Sequence, residues 1–344
     1  MHLDDLFIAG LGSWLPPAVD VAEAVADGRY DPADHAANEY LSITVAGDEA
    51  PPDMAVRAGR QALARSGVPP HDIALLLHAS LWYQGVDFWP AASYIHHRVV
   101  GEAPHGPAMD VHQMSNGSMA ALELAASYLA ADPGRRAALV TSADRLALPG
   151  FDRWRSDLRG IVYGDGAGAV VLARSGFARL RSVVSVSDST LEGMYRGRQA
   201  FGAVPGHAGQ PVDNRTRRAD FAATADTEAL GRRILSGVTE AVERALADAD
   251  SKLADIGWAV FPNLGADTLR RSYLQPLGLD LAATAWEWGR HTGHVGAADQ
   301  IIGLANVAGS GRVAPGDRAL LVGIGAGFSW TCAVVEFVSR PDLT

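Results

Sequence analysis

Three unbroken apolar runs restrict this chain to one class of fold. They are Ile73-Ala74-Leu75-Leu76-Leu77-His78, Ala137-Ala138-Leu139-Val140-Thr141-Ser142 and Ala319-Leu320-Leu321-Val322-Gly323-Ile324. A strand with one wet face alternates apolar and polar residues, whereas these runs do not, so both of their faces must be covered. Strands of that kind belong to sheets packed between helices, and helical segments intervene here. Pro51 to Ser66 places Ala55, Ala58 and Ala62 on one face and stops at Gly67. Phe88 to Val99, Gly117 to Ala130, Asp226 to Asp248 and Asp267 to Leu277 also read as helices. Further strands are expected at Leu6 to Gly12, Ala108 to His112, within the small-residue stretch Gly164 to Leu172, at Ala178 to Ser187, at Trp258 to Pro262, and from Phe328 to Val338. The pattern from Val21 to Asp48 is weak. The class is α/β.

The two halves use the same grammar. In each, a long helix precedes a buried strand, and each closes on a glycine-rich turn running into a strand, which predicts an internal duplication. The expected division is residues 1–174, carrying a turn at Ser115, and residues 175–344, carrying the later glycine-rich turns.

Composition excludes several roles. The formal net charge is −10, and no stretch interleaves clustered arginine with aromatic residues, so a nucleic-acid surface is not expected. Lys252 is the sole lysine. No run reaches the eighteen or so apolar residues of a membrane span, and no basic-then-apolar leader is present, so a cytoplasmic protein without membrane association is expected. The single cysteine, Cys332, lies in an apolar run. It excludes an internal disulfide and thiolate metal sites and reads as a small buried hydrophobe. The stretch Gly164-Asp165-Gly166-Ala167-Gly168 is no phosphate loop, because no Lys-Ser/Thr follows and no helix opens from it.

The stretch from Met109 to Ala125 concentrates the chemistry. A strand end passes through Gln113-Met114-Ser115-Asn116-Gly117 into an apolar helix, so Ser115 sits on the sharp turn, with Asn116-Gly117 as the expected permissive backbone. A side chain there projects above the sheet beside free N–H groups and the positive helix end, as a nucleophile requires. The same serine could serve as a helix N-cap.

Four further stretches, taken with this elbow, resemble the beta-ketoacyl-acyl-carrier-protein synthase III family of the thiolase superfamily. They are Gly12-Ser13-Trp14-Leu15-Pro16, Asp53-Met54-Ala55-Val56-Arg57-Ala58, Gly164-Asp165-Gly166-Ala167-Gly168-Ala169 and Gly325-Ala326-Gly327-Phe328-Ser329-Trp330. The resemblance implies a duplicated five-layer sandwich of two sheets and helices, a homodimer, and an acyl thioester of carrier protein or coenzyme A as donor substrate. No metal and no cofactor beyond that donor is implied.

The departures from the family pattern bear on the reaction. Condensing members place cysteine at the elbow, histidine in a Pro-His-Gln-Ala-Asn motif and asparagine in a Gly-Asn motif. At those places this chain has Ser115, Asn263 and His294. The altered set argues against decarboxylative condensation. A serine hydroxyl needs a neighbouring base, and His294 occupies the position that faces the elbow in the family fold. Asp299 follows five residues later, where it can hydrogen-bond the far imidazole nitrogen. Ser115, His294 and Asp299 are thus the expected catalytic triad, with the N–H groups of Ser115 and Ala326 as the oxyanion hole by family alignment. His112 and His291 are reserve bases.

Asn263, Phe328, Arg153 and Trp154 are the expected substrate-binding residues; Arg153-Trp154-Arg155 resembles the family's grip on coenzyme A. Arg270 and Arg271 lie near its carrier-docking helix. Both stretches also read as ordinary solvated surface. The segment Gly193 to Ala222 is expected to roof an acyl or acceptor pocket. The activity implied is transfer of an acyl group, aromatic ones included, through a Ser115 ester to a hydroxyl or amine of a small-molecule acceptor in secondary metabolism. The alternatives are a starter-unit ketosynthase of a polyketide pathway and a catalytically inactive dimer partner of another synthase.

Overall fold

The computed structural model describes residues 1–102, 106–341 and 343. Its strands are β1 (Phe7–Trp14), β2 (Ala18–Asp20), β3 (Ser42–Thr44), β4 (Ile73–Ala79), β5 (Ala108–Val111), β6 (Ala137–Asp144), β7 (Gly166–Ala173), β8 (Ala178–Ser187), β9 (Trp258–Val260), β10 (Arg318–Gly325) and β11 (Ser329–Phe337). Among the described residues nine of them share hydrogen bonds in the order β5-β4-β6-β7-β1-β8-β11-β10-β9, and β2 pairs with β3 alone. β4 runs parallel to β5 and β6, and β9 parallel to β10, while the pairings nearer the centre are antiparallel. Outward from β1 and from β8, each half runs through its last strand, its penultimate strand and then an earlier one. That repetition is the duplication expected from the sequence.

The resemblance implies two sheets. Here the halves are stitched together by a short pairing, Phe7 with Arg179 and Ile8 with Ala178. The join satisfies backbone groups on what are otherwise two open edges.

Helices supply the other layers. Pro51–Ser66 covers β1, β6 and β7 with Met54, Ala55, Ala58 and Ala62 buried, and Thr227–Asp248 covers β8 and β11. Between the two half-sheets lie Gly117–Ala130 and Asp299–Gly309, sharing one core with Leu6, Ile8, Leu321 and Val335 from both halves. A helix that is apolar on almost every face suits only such a central layer. Each Leu or Ile fully buried there stabilises the fold by about 1.5–3 kcal/mol. Ala121, Ala125, Ala305 and Ala308 keep this layer thin enough for both sheets to contact it.

Some expectations change. The weak Val21–Asp48 region holds two short helices, Val21–Ala26 and Pro32–Asn38, each started by an aspartate side chain (Asp20, Asp31) that accepts from the first-turn N–H groups. Neither is long enough to show a helical period. The helix expected from Phe88 begins only at Ala91, because Phe88 has φ +52° and Pro90 follows. The Asp267–Leu277 helix is one continuous element from Ala266, widened to π geometry over Arg270–Leu274.

Candidate active site

The start of each central helix lies at the junction of the two halves, where the turn Met114–Asn116 touches the turn Gly296–Ala298. Ser115 and His294 belong to equivalent places in the duplicated plan: each comes just before the helix that fills the middle layer.

β5 leads into the elbow. The permissive backbone expected at Asn116-Gly117 is instead at Met114, with φ +50°, while Asn116 (φ −84°) and Gly117 (φ −54°) are right-handed. A non-glycine residue held there costs roughly 1–2 kcal/mol, which the surrounding packing must offset. Gly117 is needed for space: a Cβ would stand 3.1 Å from the Ala79 Cβ and 3.3 Å from the Ala297 Cβ. Asn116 anchors the turn to β11, its Nδ2 donating to Gln113 Oε1 (2.8 Å), Thr331 Oγ1 (2.8 Å) and Ser329 Oγ (3.3 Å).

Ser115 does not cap the helix. Its Oγ lies 2.8 Å from His294 Nε2, and His294 Nδ1 lies 2.5 Å from Asp299 Oδ2. The carboxylate can only accept, so Nδ1 carries the proton and Nε2 is left to receive the Ser115 hydroxyl proton. Asp299, itself 1% exposed, takes four donors: His294 Nδ1–H and the Asn263 N–H (2.8 Å) at Oδ2, the Val295 N–H (2.8 Å) and Asn263 Nδ2 (3.3 Å) at Oδ1. Burial lowers the pKa of His294, but the Asp299 charge and hydrogen bond, with Asp157 and Asp144 further off, outweigh it and hold the imidazolium above its ordinary value. His294 is fixed in the fold by main-chain bonds with the 162–164 segment (His294 N–H to Val162 O, 2.8 Å; Gly164 N–H to His294 O, 3.0 Å), and its ring packs on Tyr163 at 4.9 Å.

Two buried carboxylates that sequence reasoning passed over frame this arrangement. Asp144, at the end of β6, accepts from the N–H groups of Leu81 (2.8 Å), Trp82 (2.8 Å) and Ala297 (3.3 Å), joining a wall of the site to the turn after His294. Burial pushes its carboxyl up to about 7 against the pull of those donors and of His294. Asp165 accepts from the Ala46 and Leu146 amides, both at 2.9 Å. The available signal was an acid closing a largely apolar strand run or set inside a run of glycine and alanine; such a group is buried and must find donors.

Asp165 also corrects an expectation. Arg153 grips it with both arms, Nη1 to Oδ1 at 3.1 Å and Nη2 to Oδ2 at 3.0 Å, so its guanidinium is committed inside the fold. Trp154 is 5% exposed and packs on Tyr30 at 5.4 Å, presenting no surface for an adenine ring. Asn263 is turned to Asp299 and Thr292 rather than to substrate. Arg270 pairs with Glu39, and Arg271 with Asp267 on its own helix. His112 lies on a separate cavity and His291 is exposed, so neither reserve base meets Ser115.

A cavity of about 160 Å³ opens beside Ser115 and His294. Ala326 and Phe328 line it, as do Tyr163, Tyr195 and Leu264. Among the described residues, neither the Ser115 nor the Ala326 N–H has a main-chain acceptor outside its own helix or strand. The Gly193–Ala222 segment does roof this region: Tyr195 and Arg218 line the small cavity, and His207 lines a neighbouring one of about 840 Å³, which shares Leu81 with it. Among the described residues no group of three His, Cys, Asp or Glu side chains is placed to hold a metal, and no helix is long and apolar enough to cross a membrane.

Residues 109–189 match the family model for 3-oxoacyl-[acyl-carrier-protein] synthase III, and residues 246–337 match the model of its C-terminal part. The beta-ketoacyl-[acyl-carrier-protein] synthase III of Rhodospirillum rubrum is 28% identical over 338 residues, spanning 96% of this chain and 98% of that protein. The solved structure of ChlB3, described as an acyltransferase, is 37% identical with a TM-score of 0.93 and covers 99% of this chain and 100% of its own. The priming beta-ketosynthase of the R1128 polyketide biosynthetic pathway shares the fold, with a TM-score of 0.77 at 23% identity over 99% of this chain and 98% of that one. The repeated sheet, the elbow between its halves and these matches together make the chain an enzyme of the 3-oxoacyl-[acyl-carrier-protein] synthase III family, with the thiolase fold.

Proposed function

We propose that this enzyme is an acyltransferase that carries its acyl group on Ser115. The observation supporting this is the unbroken hydrogen-bond chain from Ser115 Oγ through His294 to Asp299. Ser115 Oγ attacks the thioester carbonyl of a carrier-protein or coenzyme A donor while His294 Nε2 takes the hydroxyl proton. The oxyanion of the tetrahedral intermediate is met by the Ser115 and Ala326 N–H groups. Collapse breaks the C–S bond, and His294 returns the proton to the leaving thiolate. An acceptor hydroxyl or amine then attacks the ester, gives its proton to His294, and leaves with the acyl group as Ser115 regains its hydrogen. No carbon dioxide is released at any step.

The placement of Asn263 supports transfer over condensation. Decarboxylation leaves an enolate that the family's histidine and asparagine stabilise together, and here the first of those positions is an asparagine tied to Asp299. The acceptor is a small molecule of secondary metabolism, the working unit a homodimer and the setting cytoplasmic. Intact-mass measurement after incubation with a panel of acyl thioesters tests the reading. The parent protein should gain the acyl mass, Ser115→Ala should not, and His294→Ala should gain it slowly. Malonyl donors consumed with release of carbon dioxide would instead indicate condensation. Absence of both label and thiol release with every donor would refute the acyl-enzyme.

A further inference from the structure

Among the described residues, the small cavity contains one cation that the proposed mechanism leaves unused. Its walls are largely hydrocarbon, from Leu158, Ile161, Leu264, Ile324 and Phe328, yet Arg218 also lines it. Arg218 sits on the helix Asn214–Ala222 together with Arg215 and Arg217, which donate to main-chain oxygens of Asp157, Trp154 and Tyr195 and, from Arg217, to Asn214 Oδ1. Its own contacts are weaker: the guanidinium lies 5.4 Å above the Tyr195 ring, and Nη1 is 3.4 Å from the Tyr195 hydroxyl. Among the described residues no carboxylate lies within ion-pairing distance of it.

Polar side chains gather on the same walls, with Thr268, Ser272 and Tyr273 all lining the cavity. A purely hydrocarbon acyl group filling the space would expel the water from a half-buried guanidinium and give nothing in return. A group with an oxygen acceptor would instead gain a charge-assisted bond. Size sets a second limit: about 160 Å³ is close to the roughly 150 Å³ of a cavity known to hold one benzene ring.

We propose that Arg218 is a specificity-determining residue that selects compact acyl groups bearing an oxygen acceptor, a phenolic oxygen or a carboxylate, apart from the thioester carbonyl. The inference rests on the reading of this cavity as the acyl pocket of Ser115, so its test does not depend on turnover. Neutral amides stand in for the acyl group, and their binding to Ser115→Ala protein is measured by calorimetry in two pairs: benzamide against hydroxybenzamides, and butyramide against succinamate. The oxygenated member of one pair should bind about ten- to a hundredfold more tightly than its plain partner. Arg218→Met, which retains most of the side chain's bulk, should abolish that preference, and Arg218→Lys should restore part of it.

Preference within the benzamide pair assigns a phenolic acyl group, and preference within the aliphatic pair assigns a terminal carboxylate. Equal binding within both pairs, binding of no amide, or a preference that survives Arg218→Met overturns the proposal. If the preference holds while Ser115 never acquires an acyl group, the pocket assignment stands and the acyl-enzyme falls. If Ser115 is acylated without any preference, the reverse follows.

Discussion

Replacing Asp299 by asparagine isolates the part of the mechanism that depends on charge, because the two side chains are almost the same size. The carboxylate accepts four donors at present, two at each oxygen: His294 Nδ1–H at 2.5 Å and the Asn263 N–H at 2.8 Å, then the Val295 N–H at 2.8 Å and Asn263 Nδ2 at 3.3 Å. A carboxamide has only one oxygen. If its NH2 faces His294, the ring must accept at Nδ1 and carry its proton on Nε2, where it can no longer take one from Ser115. If its oxygen faces His294, the tautomer survives, but no charge stabilises the imidazolium and the buried Val295 N–H loses its acceptor. Either outcome should slow acylation by about a thousand- to ten-thousandfold, the size of the loss when a triad acid is made neutral, or about 4–5.5 kcal/mol at the barrier. The broken charge-assisted bonds should also lower folding stability by about 2–4 kcal/mol. Single-turnover mixing with an acyl thioester, followed by released thiol and by intact mass, reads the first number, and a thermal melt reads the second. A folded Asp299→Asn protein that acylates within about tenfold of the parent would show that the imidazole needs no buried anion and would refute the triad.

His294 should also control the pH profile. With its imidazolium held above the ordinary 6.5, acylation should rise with pH through a titration centred above that value, and the limb should move to lower pH in Asp299→Asn, where burial is less opposed. The linked stability has the corresponding sign: the His294–Asp299 contribution is fully present below the unfolded pKa and fades as pH rises through the raised folded value, which denaturant melts across pH would register. Arg153→Leu should destabilise the fold by about 3–5 kcal/mol by stranding the buried Asp165, with no change in the KM of the thioester; a raised KM at unchanged stability would return Arg153 to the donor site. Cys332 is buried and its thiol is pushed well above the usual range, so iodoacetamide should add no mass to the native protein and one carbamidomethyl group after denaturation.

The parts legible in the sequence were those with a local physical signature. The unbroken apolar runs specified sheets covered on both faces, and β4, β6 and β10 are such strands. The Ser115 turn was legible because a strand and an apolar helix leave only a few residues to reverse direction. Its left-handed residue was misplaced, since Asn-Gly is the usual choice and nothing local marks Met114. Arg153 and Trp154 illustrate the opposite limit. An arginine beside a tryptophan has the same appearance whether it meets a ligand or an internal carboxylate, and the partner that decides, Asp165, is fixed only by the fold. Arg218 gave no signal for the same reason, because its helix carries three arginines in four residues and only packing distinguishes the one that faces the cavity.

The three departures from the resembled condensing pattern are interlocked. A serine at residue 115 needs a base, and His294 supplies one only if its far nitrogen is held by an anion. That anion, Asp299, is buried at the start of a central helix, where an unpaired charge would be prohibitively costly. Asn263 meets part of that cost with a main-chain N–H and its side-chain amide, while its Nδ2 also donates to Thr292 Oγ1 at 3.1 Å. The fit is close on the other side, since a Cβ on Gly289 would come within 2.3 Å of Asn263 Oδ1. An imidazole at residue 263 would therefore have to displace Gly289 or turn away from Asp299, and turning away removes the side-chain donor at Asp299 Oδ1 while the main-chain N–H at Oδ2 remains. Reversion of Asn263 to histidine alone should then weaken the Ser115–His294 couple without creating a condensing site. Ser115, His294, Asp299 and Asn263 thus belong to one hydrogen-bond network, in which a change at any one of them alters the partners of the next.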